Sequence, residues 1–381
     1  MSTRHAAQPW LPNPARDRTW TCSPVPRDVM DFHRGLAGYA PTRLVDLPVL
    51  AAELGVGRVL VKDESLRLGL PAFKSLGASW AIHRALRARL RRDAEGPSGS
   101  PVTLVAATDG NHGRAVARFS RLLGHRARIF VPDGVHPVAV QAIRDEGADV
   151  THVPADYDEA VRAAARCAAD DGGVLIQDTA WNEYEEVPGW IVDGYSTLFR
   201  ELDDQLADLG IEQPDMVLVP TGVGSLLQAG LTHYRARPTG ADTAVVSVEP
   251  VEAACVQASI AAGHPVSVVT GHTIMAGLNC GTVSSLAWPS IHRGLDATAT
   301  VTDDQAIVAA RALAENGVPV GPCGAAPLAA AQTLATRLLP DTRDLGHQVS
   351  SRTTLVLIAT EGESANPVPV GRPSRSARTR P

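Results

Sequence analysis

The sequence predicts an α/β protein that consists of two open parallel sheets with helices on their faces. From residue 102 onward, short aliphatic runs alternate with longer stretches of helical pattern. Such alternation is typical of a parallel sheet, because a helix is the usual crossover between parallel strands. The chain has 381 residues, of which 44% are hydrophobic, and this length predicts a substantial core and two domains.

Two sets of strands follow from the alternation. The first set predicts strands over residues 103–107, 128–131, 149–153 and 174–176, with helices over 114–123, 139–146 and 157–170 between them. The second set predicts strands over residues 216–220, 244–248 and 354–359. In open α/β sheets, ligands bind at the carboxyl ends of the strands, so the turns that follow these strands are the candidates for chemistry.

Composition and charge exclude several classes of protein. A formal net charge of −6 is not that of a nucleic-acid-binding protein. No run reaches the ~18 apolar residues that span a bilayer, and the first residues contain no apolar signal-peptide stretch. The five cysteines are scattered without paired spacing, and the histidines show no metal-ligand spacing. These patterns predict a reduced, cytoplasmic enzyme without a disulfide framework or a metal.

One lysine is placed for amine chemistry. Lys74 lies between Phe73 and Leu76 and precedes a helix predicted over residues 75–92. Apolar neighbours disfavour the charged form of an amine, which suits a lysine that forms a Schiff base. Taken alone the signal is weak, because an isolated lysine is usually a solvated surface residue.

Two glycine-containing turns follow predicted strands and precede helices. The turn at residues 108–113 carries Asp109 and Asn111, a potential acid or base and a hydrogen-bond donor. The loop at residues 220–225 contains two glycines and a hydroxyl, a combination that forms a compact cradle for one phosphate group. Each turn alone could also be an ordinary connection, and Asp109 could be an N-cap residue.

Together these elements resemble a known family. Lys74 ahead of a helix, the turn around Asn111 and the glycine loop occur in the order and spacing of fold type II pyridoxal-phosphate (PLP) enzymes, the tryptophan synthase β family. Within that family, four stretches resemble the diaminopropionate ammonia-lyases: TDGNHGR at 108–114, QDTAW at 177–181, TIMAGL at 273–278 and TEG at 360–362. The similarity runs from about Tyr39 to Glu363. Serine and threonine dehydratases usually have a serine where Asp109 stands.

The resemblance implies an architecture. The cofactor is expected in the cleft between two open parallel-sheet α/β domains of the fold type II kind. Residues 1–77 and 200–368 would form a discontinuous large cofactor-binding domain, and residues 78–199 a small α/β domain. Residues 369–381 are expected to be a disordered basic tail, and a homodimer is the expected assembly.

The resemblance also implies a role for each site residue. Lys74 would hold PLP as a Schiff base and later act as a base on the Cα proton of an L-amino acid. Asp109 would be a second base on the opposite face, serving a D-substrate, and Asp178 would meet the distal amine of the substrate. The remaining positions would bind the cofactor: Asn111 its ring oxygen, Gly222, Val223, Gly224 and Ser225 its phosphate, and Thr360 its pyridine nitrogen.

The two aspartates also make sense on physical grounds. A substrate with two amines is cationic, so its pocket needs carboxylates, and an amine must be protonated as it leaves. The predicted reaction is α,β-elimination of ammonia from 2,3-diaminopropionate or a related β-substituted amino acid, through aminoacrylate to pyruvate and ammonia.

One stretch departs from the family. Where the family has a Glu-Ser pair before Gly-Ala, residues 320–326 read VGPCGAA, and Cys323 is either a packed thiol or a lining residue of the pocket. This departure leaves alternatives open. They are a serine/threonine-type dehydratase, a β-replacement synthase, a pathway-specific relative that acts on a modified diamino acid, and a non-catalytic binding protein.

Overall fold

The computed structural model describes residues 7–92, 101–237, 242–337 and 349–368. The strands of its larger sheet are β1 (Trp10–Pro12), β2 (Leu44–Asp46), β3 (Arg58–Asp63), β8 (Met216–Pro220), β9 (Ala244–Pro250), β10 (Ala297–Val301) and β11 (Thr354–Ala359). The strands of its smaller sheet are β4 (Thr103–Ala107), β5 (Arg126–Val131), β6 (Asp149–His152) and β7 (Val174–Leu175).

The helices lie between these strands and cover the faces of both sheets. In chain order they are α1 (Asp28–Arg34), α2 (Pro48–Leu54), α3 (Lys74–Arg92), α4 (Asn111–Leu122), α5 (Pro137–Asp145), α6 (Tyr157–Asp170), α7 (Glu186–Asp208), α8 (Ser225–Arg235), α9 (Cys255–Ala262), α10 (Trp288–Gly294), α11 (Asp303–Glu315) and α12 (Pro322–Arg337). Across the described residues, every helix is too short or too polar to cross a membrane.

Both sheets are mainly parallel, which confirms the predicted fold class. The larger sheet has the strand order β1-β10-β9-β8-β11-β3-β2, and only its two edge strands pair antiparallel to their neighbours. The smaller sheet has the order β6-β5-β4-β7 and is parallel throughout. The central strands are apolar and buried on both faces, as parallel strands covered by helices must be.

Sequence and structure agree best for the most apolar strands. The predicted bounds of β4, β8 and β11 are those observed. Helix α4 begins at Asn111, three residues before the predicted start, because the polar turn residues already belong to its first turn. Strands β1, β2, β3 and β10 were not predicted.

The proposed domain boundaries stay a prediction. The strands of the smaller sheet fall within residues 78–199, and those of the larger sheet fall within residues 1–77 and 200–368. Helices α3 and α7 pack closely, because neither Gly77 nor Gly194 has a side chain at the contact. A Cβ on Gly77 would lie 2.5 Å from the Tyr195 ring, and one on Gly194 would lie 2.6 Å from the Leu76 oxygen. The tail predicted to be disordered, residues 369–381, lies outside the described residues.

A buried ion network joins the end of β3 to helix α7. Lys62 donates to Glu201 at 2.8 Å, and Arg67 contacts both Glu64 and Glu201 at 2.6 Å. All four side chains are buried, so two cations are balanced by two carboxylates inside the protein. Because a buried charge is costly without a partner, this network fixes the segment between β3 and α3 against α7.

Replacing Glu201 with alanine is expected to lower the free energy of unfolding by about 3–5 kcal/mol, since Lys62 and Arg67 would keep their burial but lose a carboxylate. Urea unfolding of the cofactor-free protein measures the loss. The control is Glu159→Ala on the surface of α6, where Glu159 pairs with Arg162 and Arg166 in water. An equal change in both variants would contradict the role of the network.

Candidate active site

One pocket brings together every residue that the sequence analysis assigned to the site. It opens where strands of both sheets end, because Thr108 follows β4, Pro220 ends β8 and Thr360 follows β11. Its lining includes Lys74, Asp109, Asn111, Asp178, Gly222, Val223, Gly224, Ser225 and Thr360. The structure thus places these residues together, while their individual roles stay predictions.

Lys74 is the first residue of α3 and faces a carboxylate. Its Nζ donates to Asp178 Oδ2 at 2.5 Å, and the rings of Phe73 and Tyr195 lie 5.3 and 5.9 Å away. Burial acts to lower the pKa of Lys74, but the Asp178 carboxylate outweighs it and raises that pKa above its ordinary value. The expectation that apolar neighbours disfavour the charged amine is therefore wrong for the cofactor-free protein, because the ion pair dominates.

Asp178 is the centre of the polar contacts in the pocket. Its Oδ1 accepts hydrogen bonds from Tyr157 Oη and Gln177 Nε2, both at 3.2 Å. Burial acts to raise the pKa of Asp178, yet the Lys74 ammonium holds it below its usual range. His112 forms a hydrogen bond between its Nε2 and the Ile176 carbonyl oxygen at 2.7 Å. Tyr157 was missed, because nothing in the pattern of α6 marks its first residue as a site residue.

Asp109 differs from Asp178 in its protonation. Burial, followed by the nearby charge of Asp178, raises the pKa of Asp109 to about 8. Asp109 therefore holds a proton at neutral pH while Asp178 is ionised, as expected for two carboxyl groups that share one site. The alternative that Asp109 caps α4 is wrong, since the N-cap residue is Gly110.

The turn before α4 has a backbone conformation that requires a glycine. Gly110 has a φ of +144°, which favours glycine over residues with side chains. The Thr108 hydroxyl oxygen accepts hydrogen bonds from the amides of Gly110 and Gly113, each at 2.9 Å. This turn holds Asp109 and Asn111 at the wall of the pocket.

The glycine loop ends in the first turn of α8. Gly224 has a φ of +99°, and a Cβ on Gly222 would lie 3.0 Å from both Cys280 Sγ and the Gly277 oxygen. The first N–H groups of a helix have no partner within it, so they are available to an anion such as a phosphate. Ser225 donates its hydroxyl proton to the Asp178 carbonyl oxygen at 2.6 Å, so it offers the pocket its backbone amide.

Thr360 is a further lining residue that supports the fit of the cofactor. Its hydroxyl oxygen is buried and has no hydrogen-bond partner among the described residues, although the residue lines the pocket. A buried hydroxyl without a hydrogen-bond partner is unfavourable unless a bound group forms a hydrogen bond with it. An amine, an anion-binding helix start and an unpartnered hydroxyl together fit PLP. Among the described residues, no group of His, Cys, Asp and Glu side chains is arranged to hold a metal ion.

Glu361 is a second residue that the sequence analysis did not assign to the site. It lines the pocket and is buried, and its Oε2 accepts a hydrogen bond from Asn111 Nδ2 at 2.6 Å. Cys323 is also buried and lines the pocket, so both interpretations of its thiol apply together. The sequence signal for Glu361 was the TEG stretch at 360–362, of which only Thr360 was assigned to the site.

The proton on Asp109 gives a pH dependence in the cofactor-free protein. Between its ordinary pKa of 3.8 and about 8, the folded protein keeps a proton on Asp109 that the unfolded chain loses. The free energy of unfolding contributed by this group therefore falls as pH rises through that range. Asp109→Asn is expected to flatten this part of the pH profile in urea unfolding. A variant profile parallel to that of the unmodified protein would contradict the protonated state.

Comparison with known proteins assigns the family. Residues 36–345 match the model of the "Pyridoxal-phosphate dependent enzyme" family. The chain is 39% identical over 283 residues to a diaminopropionate ammonia-lyase of Salmonella typhimurium, covering 70% of each chain. It superposes on the Escherichia coli diaminopropionate ammonia-lyase in complex with an aminoacrylate-PLP azomethine reaction intermediate with a TM-score of 0.85 and 32% identity, over 93% of this chain and 94% of that one. A D-serine complex of the same Escherichia coli enzyme gives a TM-score of 0.84 at 30% identity, over 93% of this chain and 94% of the other. The chain therefore belongs to the pyridoxal-phosphate-dependent enzymes and, within them, to the family of the diaminopropionate ammonia-lyases.

Proposed function

We propose that this enzyme eliminates ammonia from 2,3-diaminopropionate to give 2-aminoacrylate, which water converts to pyruvate and a second ammonia. The observation that carries the proposal is the pair of carboxyl groups, Asp109 and Asp178, in the same pocket as Lys74. A pocket for serine or threonine, which carry a single amine, has no need of two additional carboxyl groups. The names of the similar proteins support the same reaction.

PLP, when bound, supplies an electron sink that makes the Cα proton of an amino acid acidic. Lys74 would hold it covalently, and the amides of Gly222, Val223, Gly224 and Ser225 would bind its phosphate at the start of α8. Asn111 would donate a hydrogen bond to its ring oxygen. Thr360, whose buried hydroxyl has no partner among the described residues, would contribute this uncharged group to its pyridine nitrogen.

Asp178 binds the distal amine of the substrate. When the Lys74 nitrogen holds the cofactor, Asp178 loses its ammonium partner and keeps a buried negative charge. A cationic amine is the group that replaces such a partner most favourably, because the carboxylate is already oriented by Tyr157 and Gln177. Held as an ammonium, this amine leaves as neutral ammonia when the Cβ–N bond breaks and the nitrogen takes the electron pair.

Lys74 and Asp109 are the two bases of the reaction. Lys74 Nζ takes the Cα proton of the L-isomer, and the Asp109 carboxyl group takes that of the D-isomer from the opposite face. For the second role Asp109 must first lose its own proton, and the cationic substrate beside it favours that loss. Two bases on two faces would allow one enzyme to use both isomers.

We also propose that the enzyme acts in the cytoplasm as a homodimer. All five cysteines are free, namely Cys22, Cys167, Cys255, Cys280 and Cys323, which is typical of a reducing compartment. The homodimer rests on the resemblance to the family, and light scattering of the purified protein measures it.

The proposed reaction is tested by measuring pyruvate and ammonia with added PLP. The substrates to compare are both isomers of 2,3-diaminopropionate and of serine, together with L-threonine. Diaminopropionate is expected to have the highest kcat/KM, because only it carries a second cation for Asp178. Borohydride reduction of the loaded enzyme should leave the cofactor on Lys74, as mass spectrometry of peptides will show. Lys74→Ala is the control for the labelled position. A higher kcat/KM on serine or threonine than on diaminopropionate would favour a dehydratase.

The roles of the two aspartates are distinguished by the kinetics of their variants on the D- and L-isomers. Asp109→Asn is expected to reduce kcat on D-diaminopropionate by about 100-fold or more, the usual scale for loss of a general base, and to spare the L-isomer. Asp178→Asn, the matched variant, is expected to raise KM for both isomers, because it removes the partner of the distal amine. Equal loss on both isomers in Asp109→Asn would refute its role as the base of one face.

A further inference from the structure

Glu361 is a buried carboxyl group in the wall of the active-site pocket. It follows Thr360 after β11 and is 3% exposed. Among the described residues it forms no ion pair, and its carboxyl oxygens accept hydrogen bonds from Asn111 Nδ2 at 2.6 Å and from the Cys323 amide at 3.3 Å. A buried carboxyl group without a cation is unfavourable, so these contacts need a reason beyond packing.

The contact with Glu361 fixes the orientation of the Asn111 amide. The amide nitrogen of Asn111 faces Glu361 Oε2, so this oxygen accepts one of the two N–H groups of the amide. One N–H of Asn111 is then used by Glu361, and the second N–H points in a single direction. Asn111 itself begins α4, so its backbone is held by the helix.

Two glycines lie against Glu361, one beside its carboxyl group and one beside its backbone. A Cβ on Gly321 would lie 2.9 Å from Glu361 Oε1, and a Cβ on Gly324 would lie 2.8 Å from the Glu361 backbone oxygen. Side chains at either position would displace Glu361. The absence of side chains at Gly321 and Gly324 therefore leaves room for Glu361 in the orientation in which it contacts Asn111.

We propose that Glu361 is a positioning residue that acts on the cofactor through Asn111. By holding one N–H of the amide, it directs the other N–H to the cofactor's ring oxygen and thereby sets the strength of that hydrogen bond. This inference rests on the role of Asn111 in the proposed function. Glu361 is a positioning residue and not a catalytic one, because it acts through its hydrogen bond with Asn111.

A double-mutant cycle tests the inference, with the dissociation constant of PLP from cofactor-free protein and the absorbance maximum of bound PLP as readouts. Asn111→Ala and Glu361→Ala are each expected to weaken PLP binding about 10-fold or more and to shift the absorbance in the same direction. The double variant is expected to match Asn111→Ala alone, because Glu361 acts through that side chain. Additive effects would overturn the inference.

Two further variants keep the test decisive if Glu361→Ala folds poorly. Glu361→Gln retains a carbonyl oxygen for Asn111 and is expected to restore PLP binding to within a few-fold of the unmodified protein. Gly321→Ala retains the carboxyl group of Glu361 but displaces it, and is expected to weaken binding as Glu361→Ala does. Strong binding in Gly321→Ala together with weak binding in Glu361→Gln would contradict positioning.

Glu249→Gln is the matched control for altering a buried carboxyl group. Glu249 is fully buried outside the pocket, where it accepts hydrogen bonds from the amides of Val256 and Gln257 at 2.7 and 2.9 Å. This variant is expected to lower Tm without changing either PLP readout.

If Asn111→Ala changes neither readout, the assigned role of Asn111 fails and the inference fails with it. If Asn111→Ala changes both and Glu361→Ala changes neither, the inference alone is overturned.

Discussion

The buried ion network of Lys62, Glu64, Arg67 and Glu201 holds the segment that carries the reactive lysine. Its four charges balance one another away from water, so none can move without leaving another unpaired. The Arg67 carbonyl oxygen accepts a hydrogen bond from the Ser75 hydroxyl at 3.0 Å. This bond connects the ion network to the start of α3. The position of Lys74 thus depends on a charge cluster that has no part in the chemistry.

The charge states in the pocket depend on burial and on the fact that the Lys74 ammonium lies near two aspartates, Asp109 and Asp178. Lys74 is the cation that pairs with Asp178, so Asp178 is ionised and Asp109 keeps its proton. The arrangement makes one carboxylate a receptor for a substrate cation and leaves the other as a group that exchanges a proton near neutral pH. Two residues of the same type therefore acquire different roles from position alone.

Sequence reasoning succeeded where a local pattern reports a local structure. The glycines at 222 and 224 and the turn at 108–113 are required by backbone conformation and close approach, so they could be found from the sequence. Tyr157 was missed because nothing in its own segment marks it. Glu361 lies in the TEG stretch at 360–362, but that stretch does not reveal which residue its carboxyl group contacts. Each becomes part of the site only through a contact with a residue distant in the chain, Asp178 or Asn111.

The sequence by itself determined the alternation of strands and helices, the glycine turns at the strand ends and the family motifs, because each of these depends on neighbouring residues. The tertiary structure decided the charge states of Lys74, Asp109 and Asp178, since a pKa depends on burial and on charges brought from other segments. That is why Lys74 could be identified from its motif, whereas its ammonium form, paired with Asp178 across the pocket, could not.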